Sequence, residues 1–132
     1  MEKPAEMRHE AIFTEKAPKP VGPYSQAVRV GRWVFCAGQG AVDPVTGKLV
    51  NDDVSTEAEQ TLKNLGAVLR EAGLDYDDVV KTTVFLVDMD DFAAVNAIYA
   101  KYFDRVKPAR STVAVKALPL GIRVEIEAIA RG

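Results

Sequence analysis

Arg110 stands directly after Pro108-Ala109 at the head of an otherwise apolar run. A guanidinium there is suited to gripping a carboxylate through two parallel hydrogen bonds; the other reading from spacing alone is a solvated strand end with an ion pair. Further along, Arg123, Glu125 and Glu127 share one face of an alternating segment whose other face is Val124, Ile126 and Ala128. One of these carboxylates can serve as a base toward water, and Glu127 can equally pair with a basic neighbour. Cys36 alternates with Phe35 in an apolar stretch and reads as a buried small hydrophobe rather than a reactive thiol. The single histidine, His9, lies in the polar start of the chain, so neither a serine nor a cysteine nucleophile has a well-placed imidazole. The chain has no glycine-rich phosphate loop, no His pair at metal spacing and no G-x-S-x-G elbow. One Cys and one His make neither a structural zinc site nor an intramolecular disulfide. This inventory points to chemistry without a cofactor or a metal.

Those side chains must be held by a small scaffold. The chain has 132 residues, 48% hydrophobic and 27% charged, which fits one domain with a single core and sets aside disordered, collagen-like and coiled-coil classes. Seventeen Lys and Arg against nineteen Asp and Glu give a net charge of −2, so phosphate neutralisation is not on offer and nucleic acid is an unlikely partner. No run approaches the ~20 apolar residues of a membrane span and none resembles a signal-peptide core. With its lone cysteine, the chain reads as soluble and cytoplasmic, without a membrane partner.

Residues 1–10 are polar and read as a flexible extension, with a single domain over 11–132. Ala11–Thr14 reads as a short strand, followed by a proline-bearing loop that delivers Tyr24. Ser25–Val30 and Trp33–Ala37 flank Gly31-Arg32, a two-residue hairpin signature. Ala58, Leu62, Leu65, Leu69 and Ala72 then recur at helical spacing, with Asp52 or Asp53 able to cap the start and Gly73 the end. Val79–Val87 is β-branched and short enough to be a strand. A second helix carries Phe92, Val95, Tyr99 and Phe103 on one face, with Asp88, Asp90 and Asp91 at its positive end. Arg110–Ala117 and Ile122–Ala130 alternate and are joined by Leu118-Pro-Leu-Gly121, which reads as a hairpin. The expected class is α+β, one mixed sheet covered on one face by two helices. The other face carries apolar residues and calls for a second copy of the chain, a homo-oligomer. In the hairpin register Ala114 faces Glu125, placing Arg110 roughly 13 Å further along. A site using both residues then spans a ligand's length or takes one from each of two subunits.

Gly22-Pro-Tyr-Ser-Gln26, Ala37-Gly-Gln39, Val80-Lys-Thr-Thr-Val84, Asp91-Phe-Ala-Ala-Val-Asn96, Pro108-Ala-Arg-Ser111 and Val124-Glu-Ile-Glu-Ala128 resemble, in order and over nearly the whole chain, the reactive intermediate deaminase family, also called YjgF or L-PSP, and most of all its RidA branch. The resemblance implies a chorismate-mutase-like α+β fold, a homotrimer with clefts between subunits, and no cofactor. It implies hydrolysis of 2-imino acids, such as 2-iminopropanoate and 2-iminobutanoate, to 2-oxo acids and ammonia. Arg110 then matches the carboxylate-binding arginine and Glu125 the glutamate that orients water. Tyr24 matches the cleft tyrosine, Gly38 a backbone contact to ligand, and Asn96 an asparagine near the pocket. Thr112 stands where relatives often carry Cys, and Ala37 where they often carry Ser, so these two bear on which substrate is preferred. Packing of Tyr24 against the proline loop and bracing of a helix by Asn96 remain the plain alternatives. Two other functions stand beside imine hydrolysis: non-catalytic binding or sensing of 2-oxo acids, and the ribonuclease or translation-inhibitor activity reported for some relatives.

Overall fold

The computed structural model describes residues 3–4 and 8–132. Its order is β1 (His9–Ile12), β2 (Ala27–Val30), β3 (Trp33–Gln39), α1 (Val54–Glu71), β4 (Val79–Leu86), α2 (Phe92–Phe103), β5 (Ala109–Ala114) and β6 (Val124–Arg131). The strands form one six-stranded sheet in the order β1-β2-β3-β6-β4-β5, mixed because β4 and β5 run parallel. This is the α+β arrangement expected from the sequence.

Local chemistry explains most boundaries. Gly31, with φ of 59°, turns the β2–β3 hairpin at the expected place. Asp53 caps α1, its carboxylate accepting from the Thr56 N–H at 2.7 Å, and Gly73 closes it in the left-handed region. Ala58, Leu62, Leu65 and Leu69 are buried, as their spacing requires. In α2, Val95, Tyr99 and Phe103 enter the core, but Phe92 stays at the surface beside Arg110. Asp88 accepts from the Asp90 N–H and fixes the single turn Met89–Asp91 that leads into α2.

Four expectations are corrected. The flexible extension does not run to residue 10: His9 and Glu10 pair with Val30 and Arg29 as the start of β1. The edge of β2 offers backbone partners whatever side chains the added strand carries, so a polar sequence is no bar. The rest of that extension lies partly outside the described residues, at 1–2 and 5–7. Nor does the strand reach Thr14. The buried Gln26 amide captures the Thr14 backbone instead, accepting from its N–H at 2.6 Å and donating to its carbonyl at 3.0 Å.

The third correction concerns the C-terminal hairpin. β5 and β6 are not neighbours; β4 lies between them. The 12-residue helix α2 carries the chain over the sheet and returns it parallel to β4, which a helical crossover favours. The chain from Val115 to Arg123 then arches over the end of β4, where the Val115 N–H donates to the Leu86 carbonyl and the Val87 N–H to that of Arg123. β6 thereby fills the slot between β3 and β4 and is bonded on both edges. Fourth, Arg123 does not share the outer face with Glu125 and Glu127. It precedes β6 and turns to Glu57, a fully buried carboxylate on α1 that also accepts from the Arg123 N–H.

α1 packs on β3 and β6, and α2 lies beside α1, so both helices cover one face. Under them Val84, Leu86, Val124, Ile126, Ala128 and Ala130 meet Leu62, Leu65, Leu69, Val95 and Phe103. The opposite face presents Phe35, Phe85, Val113, Glu125 and Glu127, and among the described residues no helix or second sheet lies across it. Among the described residues no helix is long and apolar enough to cross a membrane.

Candidate functional site

The residues singled out for chemistry assemble into two groups that share no side chain. The first forms a cleft of about 760 Å³ lined by Tyr24, Ala37, Gly38 and Glu125, with the proline loop and residues 42–47 as walls. The buried Gln26 anchors the proline loop, donating to the carbonyls of Thr14 and Pro18 at 3.0 and 2.9 Å. On that loop the Tyr24 hydroxyl accepts from the Val21 N–H at 3.2 Å, leaving its ring half exposed at the mouth. The opposite wall hangs from Asn64 of α1, which donates to the carbonyls of Gly40 and Val42 at 2.9 and 2.8 Å. Neither Gln26 nor Asn64 was assigned a site role from the sequence. The signal was present in Asn64, a polar residue on the apolar stripe of α1 next to Leu65.

Between the walls, β3 carries a bulge. Cys36 pairs with Ala128 and Gln39 with Ile126, so Ala37 and Gly38 together oppose the single residue Glu127. The bulge brings the Gly38 backbone against the Glu125 side chain: a β-carbon at position 38 would lie 2.7 Å from Glu125 Cδ and collide with its carboxylate oxygen. Only glycine admits the carboxylate there. Burial pushes the Glu125 carboxyl above the ordinary carboxylate range, and the neighbouring charge of Glu127 pushes it the same way. Cys36 faces the core beneath this bulge, and burial drives its thiol up to about 12, so it is a neutral packing residue as expected.

The second group lies on the helix-covered side of the sheet, at its β5 edge. Arg110, opposite Thr82 in the parallel ladder, donates through Nη1 to Asn96 Oδ1 at 2.7 Å. Its guanidinium sits 4.8 Å from the centroid of the Tyr99 ring and 5.6 Å from that of Phe92. Thr112, two residues on, lines a small recess with Asn96, Tyr99 and Arg110. Arg110 and Asn96 remain exposed, free to meet a ligand with the remaining guanidinium donors. Asn96 caps neither end of α2, which fall at Asp91 and Asp104; its carboxamide oxygen accepts from Arg110.

The two groups cannot converge within one chain. Arg110 is level with Thr82, which is level with Ala128, while Glu125 lies three residues further along β6 and two strands away. That is a separation of about 14 Å along the sheet surface. The side chains also project from opposite faces, since Thr82 and Ala128 are buried under the helices and Glu125 alternates away from them. Among the described residues no set of three His, Cys, Asp or Glu side chains could hold a metal ion.

A mixed six-stranded sheet under two helices, with a stacked arginine at one edge and a bulge-backed glutamate on the other face, defines a small α+β class of protein. The chain belongs to the Endoribonuclease L-PSP family, whose model matches residues 14–132. It is 56% identical over 119 residues to a mouse protein named 2-iminobutanoate/2-iminopropanoate deaminase, covering 90% of this chain and 88% of that one. It superposes with a TM-score of 0.92 on a Rid-family protein of unknown function from Yersinia pestis, at 45% identity over 95% of this chain and 100% of that one. E. coli TdcF, solved with bound serine, matches with a TM-score of 0.88 and 42% identity, covering 93% and 98% of the two chains.

Proposed function

We propose that the chain is a cofactor-free hydrolase of short 2-imino acids, 2-iminopropanoate and 2-iminobutanoate among them, which it converts to 2-oxo acids and ammonia. The site forms between copies of a homotrimer, Arg110 coming from one subunit and the cleft of Tyr24, Ala37, Gly38 and Glu125 from the next. The observation that carries this reading is the placement of Arg110 and Glu125 on opposite faces of one sheet, each open to a ligand and each built for one end of it. Apolar residues on the uncovered face, Phe35, Phe85 and Val113, support a second copy there. The names of the relatives support the substrate class, and serine bound to the E. coli protein is an amino acid with the same carboxylate beside a carbon–nitrogen bond.

The chemistry follows from those groups. Arg110, held by Asn96, grips the substrate carboxylate and fixes the imine carbon, a restriction that supplies several kcal/mol of barrier reduction. Glu125 accepts a proton from water as the oxygen bonds to the imine carbon and the π pair moves to nitrogen, and it then passes that proton to the nitrogen. The carbinolamine then collapses: Glu125 takes the hydroxyl proton as the carbonyl forms and delivers it to the nitrogen as the C–N bond breaks and ammonia leaves. A carboxyl raised toward neutrality suits both directions of this transfer.

The test is the lifetime of imine released by a threonine dehydratase, read by semicarbazide trapping. Intact protein should shorten it, whereas Arg110→Ala and Glu125→Gln should not. If intact protein leaves the lifetime unchanged, hydrolysis is refuted and a 2-oxo acid binding role takes its place.

A further inference from the structure

The reading of Arg110 as a carboxylate clamp leaves open how an exposed arginine on an edge strand stays in position. A free arginine side chain has many rotamers, and ordering it on ligand binding weakens the affinity accordingly. Three observations bear on this. The guanidinium lies 4.8 Å from the centroid of the Tyr99 ring, within cation–π range. Tyr99 is itself fixed, 7% exposed, with its hydroxyl 2.6 Å from Thr82 Oγ1, a fully buried side chain. Thr82 is also the residue directly opposite Arg110 in the β4–β5 ladder, so the threonine that holds the ring and the arginine above it belong to one rung. The far end of the stack closes on Phe103, whose ring lies 4.6 Å from that of Tyr99.

We propose that Tyr99 is a positioning residue for substrate binding. Its ring, locked by Thr82 from below and packed on Phe103, is the shelf on which Arg110 rests extended, so the carboxylate meets a guanidinium already in place. Asn96 sets the rotation of the guanidinium in its plane, and Tyr99 sets the height of that plane above the sheet. The hydroxyl of Tyr99 serves the shelf and not the ligand, because its partner is the buried Thr82. Burial holds the phenol above its ordinary range, in keeping with a neutral structural role.

This inference rests on the proposed clamp, and the experiment separates the two. Binding of 2-oxobutanoate to the full-length protein is measured by calorimetry, alongside steady-state imine hydrolysis. Tyr99→Leu, which keeps bulk and removes the ring, should weaken binding by about fivefold and raise KM with kcat nearly unchanged, the size expected for a cation–π contact at a partly exposed site. Tyr99→Phe, which keeps the ring on Phe103 and loses only the Thr82 contact, should recover most of the affinity even if it lowers the melting temperature. Equal affinities for the Leu, Phe and native proteins would overturn the inference while leaving the clamp intact, provided that Arg110→Ala abolishes binding. Unchanged binding by Arg110→Ala would overturn both. A measurement on the native protein guards against a Leu variant that does not fold: the Arg110 Nε–H resonance should show a ring-current shift and restricted motion. An Arg110 signal as mobile as that of an unstacked surface arginine refutes the shelf.

Discussion

The two faces of the sheet are built on different principles. Beneath the helices, Val84, Leu86, Val124, Ile126 and Ala130 are almost wholly buried, in one cluster with apolar residues of α1 and α2. On the other face Phe35 is 45% exposed and Val113 40%, interleaved with the two carboxylates of β6. The first face is satisfied by its own chain. The second carries apolar area that one copy leaves in water, and there the bulge and Glu125 lie. Arg110 belongs to neither interior; it sits at the β5 edge of the covered face, stacked on a helix. On the proposed reading, the residues that meet substrate stand on surfaces that the folding of one chain does not close.

The sharpest way to break that comparison is to disable each face separately. Arg110→Ala and Glu125→Gln should each lower imine hydrolysis by at least about a hundredfold. Co-refolding the two inactive variants in equal amounts should restore about a quarter of native activity, because in a cyclic trimer that fraction of random interfaces pairs an intact arginine with an intact glutamate. No recovery on mixing, measured on reassembled trimers, would place both residues in one subunit's site and undo the comparison.

Gly38→Ala tests the bulge. The added methyl collides with the Glu125 carboxylate and must push it aside, so activity should fall about tenfold or more while 2-oxobutanoate still binds Arg110. Glu57→Ala acts on the covered side alone. It removes the acceptor of the partly exposed Arg123 guanidinium and of its backbone N–H, and denaturant unfolding should show a loss of about 2 kcal/mol.

The carboxyl of Glu125 gives the pH predictions. Its folded-state pKa is raised, chiefly by burial and then by Glu127. The acid limb of the rate profile should therefore lie above the ordinary glutamate value of about 4.3, and Glu127→Gln should move it to lower pH. For stability the sign is that of a raised group: the folded state holds the proton more tightly, a contribution complete below the unfolded pKa and lost as pH rises through the folded one. Glu125→Gln should accordingly raise the melting temperature at neutral pH and leave it unchanged in acid. The smallest effect belongs to Cys36. With its thiol pushed up to about 12, alkylation of the native protein should be negligible at pH 8, and Cys36→Ala should leave kcat unchanged.

Much of this was legible in the sequence because it is local. Helical spacing fixed the apolar face of α1, Gly31 marked the first hairpin, and alternation in β6 put Glu125 and Glu127 together on one side. Short motifs carried the family, and with it Arg110, Glu125, Tyr24, Gly38 and Asn96. Other features were hidden because the deciding partner is remote in the chain. Nothing near Arg123 announces Glu57, and nothing near Thr14 announces that Gln26 will end its strand. The pairing of the last two strands failed for the same reason. Pro119-Leu-Gly121 looks like a hairpin turn, but a turn cannot specify which strand lies beside the one it follows.

The sequence by itself determined the elements, the residue types that can grip a carboxylate and move a proton, and the periodicity that sends each side chain to one face or the other. Only the tertiary structure decided that β4 lies between β5 and β6. That insertion sets Arg110 and Glu125 two strands apart on opposite faces, and it places Thr82, Tyr99 and Arg110 in one stack. The physical reason is that side-chain direction is a property of the strand, fixed every second residue, whereas strand order is a property of the whole sheet. It is settled by which edges the helical crossover leaves free and which central slot buries the most apolar surface.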